Sequence, residues 1–171
     1  MSGKTAGLVA LALLAGVLLA RVMQDPNTGT STWDASRAAG FAAYLLLWVS
    51  TMAGVALHMR FRPAGSPLTW LIEVHRITSM LALSFLAAHV LALVLDPVVP
   101  FSVLDAMVPF TSSYRPIQVG IGALAQWMLV LVLVSTTYAT AISWSTWRNL
   151  HYLSFPCYIL ALAHGIVSGT D

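Results

Sequence analysis

Five stretches of this chain run for about twenty residues or more with almost no charge: residues 5–23, 36–59, 68–95, 116–142 and 146–168. About twenty helical residues cross a ~30 Å hydrocarbon layer. A helix satisfies its own backbone hydrogen bonds there, whereas a lone strand does not. The pattern therefore predicts an all-α integral membrane bundle of five transmembrane helices, with the whole of residues 1–171 forming a single domain. Composition agrees: 58% of the residues are hydrophobic and 8% charged, where a soluble domain carries roughly a quarter charged. Too few polar side chains are present to clothe a water-facing surface.

The segments between these stretches have turn chemistry. "QDPNTGTSTWD" joins the first two, "RFRPAGSP" the second and third, and the long "DPVVPFSVLDAMVPFTSSYRP" the third and fourth. Within that last loop, residues 102–107 read as a short interfacial helix capped by Ser102. Lys4 ahead of an apolar core gives the first stretch some signal-peptide character, but no A-x-A site closes it before Arg21. It reads as a retained helix.

With the N-terminus cytoplasmic, the inner helix ends hold Lys4, Arg60, Arg62, Arg76 and Arg148 against Glu73. The outer ends hold Arg21, Arg37 and Arg115 against Asp25, Asp34, Asp96, Asp105 and Asp171. The excess of inner cations predicts a plasma (inner) membrane protein with its N-terminus in and C-terminus out. A net charge of +2 and the absence of a basic cluster interleaved with aromatics argue against nucleic acid as a partner. The single cysteine, Cys157, lies in an apolar run; it builds no disulfide framework and reads as a small buried hydrophobe.

Ionisable groups inside a membrane are costly and mark function. Four of the five histidines fall in two pairs, His75 with His89 in the third stretch and His151 with His164 in the fifth. Fourteen residues rise ~21 Å and return within about 40° of the same helix face. The third and fifth helices run in the same direction, so His75 and His151 share an inner depth and His89 and His164 an outer one. This makes two rungs with an imidazole at each end. Zinc wants its ligands clustered within a few ångströms, which this spacing denies, and four imidazoles without an intramembrane carboxylate make a poor proton relay. Two axial imidazoles on a haem iron fit, and leave no open coordination position, as suits electron transfer. The thirteen residues between His151 and His164 leave them about 140° out of phase on a straight helix; Pro156 between them is expected to bend it.

The segments "SRAAGFAAYLLLWVS", "EVHRITSMLALSFLAAH", "YRPIQVGIGALA" and "WRNLHYLSFPCYILALAHGIVSGTD" resemble the ferric reductase-like transmembrane domain superfamily over about residues 33–171. That group includes ferric reductases, NADPH oxidases and the haem-binding membrane subunit of a periplasmic methionine sulfoxide reductase system. The resemblance implies two b-type haems, with His75 and His151 as axial ligands of the inner haem and His89 and His164 of the outer. It also implies that Arg37 lies near the outer haem. Three features depart from the family pattern. Oxidase relatives carry a further histidine where this chain has Leu93, which argues against dedicated superoxide production. No G-x-G-x-x-G is present, so FAD or FMN enters only through a partner or a missing portion. A sixth helix, common in the family, would lie beyond Asp171.

Several other residues invite a role. Arg60, Arg62, Arg76 and Arg148 are candidates for haem propionates as well as topology markers, and His58 reads as interfacial. Phe85 and Tyr158 lie between the histidines of their helices. Gly40, Gly54, Gly120 and Gly122 allow close approach of a helix or macrocycle, while Trp33, Trp70, Trp144 and Trp147 read as an interfacial belt. The expectation is a cytochrome b-like electron carrier, an oxidoreductase component. It takes electrons from a donor protein or quinol at the cytoplasmic side and passes them to an outer acceptor, such as ferric iron or a periplasmic partner. Two other readings use the same residues: a quinol-linked haem anchor for a periplasmic reductase, and a haem-free structural or sensor membrane protein.

Overall fold

The computed structural model describes residues 31–61 and 67–169, and every regular element among them is helical. They are α1 (Ser31–His58), α2 (Leu68–Val94), α3 (Val103–Met107), α4 (Pro116–Thr137), α5 (Trp144–His151) and α6 (Ser154–Ser168). Four spans are long and apolar enough to cross a membrane: α1, α2, α4, and α5 with α6 taken together as Trp144–Ser168. This agrees with an integral membrane protein. The expected first helix, 5–23, lies outside the described residues, as do Arg62 and Asp171.

The chain divides at Pro100–Phe101 into two compact units. In the first, α1 and α2 form an antiparallel hairpin. Thr32, Ser36 and Ser50 along α1 bond, in reverse order, Asp96 just past α2 and His89 and His75 on it. Most of the buried positions are small, Ser36, Ser50 and Ala53 on α1 and Ala82, Ser84 and Ala92 on α2, with Leu47 and Leu71 the larger ones. Small residues let two backbones approach closely, which is how helices associate where lipid tails are as apolar as leucine. Large apolar side chains instead face outward, as with Phe41 at 66% exposure.

α1 begins at Ser31, five residues earlier than the hydropathy suggested, so Trp33 and Asp34 belong to its first turns. It closes after His58 with Phe61 N–H bonded to Ala56 O and Arg60 N–H to Leu57 O. This is a Schellman closure in which Arg60 (φ 55°) holds the left-handed position usual for glycine. α2 starts directly after Pro67 and stops ahead of Pro97.

In the second unit α4 opens with Pro116 at its first position, where no N–H is needed. It ends at Thr137, short of the expected 142. In its last turn the Ser135 and Thr136 hydroxyls bond Val132 O and that of Thr137 bonds Leu133 O. The fifth expected helix is two helices. Pro156 has no N–H to offer Tyr152 O, which is taken instead by Phe155 N–H three residues on. The chain tightens at Tyr152 and Leu153, and α5 and α6 separate there. α6 runs antiparallel to α4, with Cys157 buried and its Sγ 3.3 Å from Ala125 O.

The short helix α3 has the expected Ser102 cap, completed by Asp105 into a capping box. It is fastened to α4, where Trp127 Nε1 donates to Met107 O at 2.7 Å. Trp127 lies eleven residues into α4, about 16 Å along it. The Phe110 ring then lies over Gly120, where an added Cβ would come within 2.2 Å of Phe110 Cδ1.

Candidate functional site

Three of the four paired histidines are held in one way. His89 Nδ1 lies 2.8 Å from Ser36 O, His75 Nδ1 2.8 Å from Ser50 O, and His164 Nδ1 2.8 Å from Gln118 O. A carbonyl oxygen only accepts, so each ring carries a proton on Nδ1. In the neutral imidazole the lone pair is therefore on Nε2. Such a tether fixes both tautomer and ring orientation, and is the arrangement histidine ligands of metals use.

Four residues beyond each accepting carbonyl stands a glycine, one helical turn later on the same face. Gly40 follows Ser36, Gly54 follows Ser50, and Gly122 follows Gln118. A Cβ at Gly40 would come 2.9 Å from His89 Nδ1, and at Gly122 2.8 Å from His164 Nδ1. At Gly54 it would come 3.3 Å from His75 Cε1. Each ring thus lies edge-on against a bare stretch of neighbouring helix. The two cradles of the hairpin are fourteen residues apart on α1, matching the spacing of His75 and His89 on α2.

Hydroxyls complete these two cradles. Ser36 Oγ accepts from His89 Nδ1 at 3.0 Å and donates to His89 O at 3.3 Å. Ser50 Oγ likewise accepts from His75 Nδ1 at 3.1 Å and lies 3.3 Å from His75 O. Ser36 and Ser50 are both buried. In the second unit Ser168 Oγ lies 3.5 Å from His164 Nδ1.

His151 is placed differently. It is the last residue of α5, just ahead of the break, and stacks on Trp147 with centroids 4.9 Å apart and planes 23° from parallel. Trp144 stacks in turn on Trp147 at 4.8 Å. Trp147, expected in an interfacial belt, is thus the platform for a histidine.

Arg37 is exposed on α1 beside the Ser36 cradle, and His58 is exposed at the end of the same helix. Phe85 and Tyr158 are half-buried, as are all four paired histidines. Arg60 and Arg148 are exposed, and Arg76 is engaged by Glu73 one turn before it. Among the described residues no three His, Cys, Asp or Glu side chains gather to hold a metal ion; what the site offers is individual imidazoles.

The role of Ser36 and Ser50 escaped the sequence reading. The signal was present as two S-x-x-x-G pentads, "SRAAG" and "STMAG", set apart by the same fourteen residues as the histidines. Compared with family models, curated proteins and solved structures, the chain finds no match.

Proposed function

We propose that this protein is a b-type cytochrome-like membrane electron carrier of the ferric reductase-like kind. His75, His89, His151 and His164 would be axial ligands of two haems, paired His75 with His151 and His89 with His164 as their depths in the sequence argue. The observation that carries the reading is the repeated tether, in which three rings keep the proton on Nδ1 against a backbone carbonyl and the lone pair on Nε2. When bound, the iron of such a group supplies reversible one-electron chemistry.

The chain's own contribution is orientation and dryness. The carbonyls of Ser36, Ser50 and Gln118 hold the rings and raise their basicity as ligands. Gly40, Gly54 and Gly122 let the rings lie flush against the helix. The apolar spans around them exclude water and keep the local dielectric low. Arg37, Arg60 and Arg148 are the candidates for carboxylate contacts at the two ends. Electrons would run from a cytoplasmic donor or quinol to an acceptor outside.

The test is a reduced-minus-oxidised optical spectrum of the purified protein, with haem counted per chain. Two low-spin b-type haems are expected, and single substitutions of the four histidines should each remove one. A colourless protein after expression with haem supplied would overturn the reading and leave a structural or sensor membrane protein.

A further inference from the structure

The two cradles of the α1–α2 hairpin match in carbonyl, hydroxyl and glycine, and differ in one residue. One turn after His75 stands Ser79, and one turn after His89 stands Leu93. Ser79 Oγ donates to His75 O at 2.7 Å and lies 2.6 Å from Ser50 Oγ. Because the Ser79 proton is directed to a carbonyl, Ser79 Oγ accepts from Ser50. Ser50 Oγ in turn keeps a lone pair for the Nδ1 proton of His75. The result is a closed chain: His75 Nδ1–H to Ser50, Ser50 to Ser79, and Ser79 to the carbonyl of His75 itself. At His89 the chain runs through Ser36, whose bond to His89 O is the longer 3.3 Å.

Hydrogen bonds in a chain polarise one another, more so where the dielectric is low. A more strongly held Nδ1 proton makes Nε2 the more basic ligand. Hydrogen bonding of this kind is one of the levers by which a protein sets the potential of a bound iron centre. A more basic ligand favours the oxidised, more positive iron and lowers the potential.

Resting on the haem reading above, we infer that Ser79 is a positioning residue that acts through Ser50 on His75, so that the His75 site has a lower midpoint potential than it would have with the cradle of His89. Ser79 touches no reacting atom; it works through the imidazole.

The test uses the full chain with Ser79→Ala, Ser79→Thr and Leu93→Ser. In a spectroelectrochemical titration, Ser79→Ala should raise one midpoint and leave the other unmoved. The one that moves should be the one lost in His75→Ala. Ser79→Thr keeps the hydroxyl and should restore the native value, while Leu93→Ser should lower the other midpoint. In haem-free protein labelled with nitrogen-15, Ser79→Ala should move the His75 Nδ1–H proton resonance upfield and leave that of His89 in place. Unchanged midpoints together with an unchanged His75 resonance would overturn the inference. A wild-type chain that binds no haem would instead sink the haem reading, and the resonance of His75 would still decide whether the hydroxyl chain exists.

Discussion

The hairpin and the second unit solve the same problem in different ways. In α1–α2 two uninterrupted antiparallel helices carry two equivalent histidine cradles, and the fourteen-residue period appears on both helices at once. In the second unit one cradle of that kind holds His164 on α4, while His151 stands before a break and is held by a tryptophan face. The difference teaches that a repeated site needs a regular partner. α4 offers a glycine at residue 122, but fourteen residues further stands Thr136, whose hydroxyl is turned to its own helix.

The sharpest way to break this comparison is to fill the cradles. Gly122→Ala and Gly40→Ala put a methyl within 2.8 and 2.9 Å of a ring nitrogen. Overpacking of this kind costs about 1–3 kcal/mol, and because the ring itself must move, each variant should also lose the haem assigned to its histidine. Gly54→Ala, at 3.3 Å from the ring, should be the mildest of the three. Haem content and thermal unfolding in detergent measure both effects. Equal loss in all three would show that the rings do not depend on the bare helix surface.

Pro156→Ala tests the other half. It supplies an N–H four residues after Tyr152 O, which now takes that of Phe155, and should join α5 to α6 as one helix. The tether of His164 to Gln118 O lies beyond the join and should be unaffected, whereas His151 should leave its position on Trp147. Amide exchange at residue 156, together with the spectrum of each site, would report this. Equal perturbation of His151 and His164 would mean that the break serves both. Trp147→Leu removes the stacking platform without altering the backbone and should cost about 0.5–1.5 kcal/mol, again confined to His151.

Much of this was legible in the sequence because helix period and hydropathy are local properties. α2 lies within a residue of its expected bounds, and His75 and His89 share one face because nothing interrupts it. What escaped depended on particular side-chain and backbone hydrogen bonds. α4 ends at Thr137, where hydropathy alone continues, and its last turn carries the hydroxyls of Ser135, Thr136 and Thr137, bonded back to Val132 O and Leu133 O. The effect of Pro156 was foreseen, but it falls three to four residues earlier, at Tyr152 and Leu153, because the missing N–H is felt at the carbonyl one turn back. The serine tethers were invisible for another reason. A serine in an apolar helix has no periodic signature until the partner histidine is known to lie across from it.

The smallest expected difference lies at the open ends of the two antiparallel pairs. In the hairpin Asp96 fastens the end of α2: it accepts from the Thr32 hydroxyl at 2.7 Å and from the N–H groups of Val98 and Val99 at 2.9 Å each. Burial opposes its ionisation, but the Val99 N–H, the Thr32 hydroxyl and the Val98 N–H together outweigh it, so its carboxyl lies below the usual 3.8. In the second unit the corresponding fastening is Arg115 Nη1 donating to Ser168 O at 3.4 Å. A carboxyl with a depressed folded pKa contributes stability that is fully present above its unfolded value and is lost as pH falls through the folded one. Acidification below about pH 4 should therefore release the Val98 and Val99 amides to hydrogen exchange. Asp96→Asn retains an acceptor but not the charge, and should make that exchange independent of pH over the same range. If the Val98 and Val99 amides stay protected on acidification, Asp96 is not what closes the hairpin.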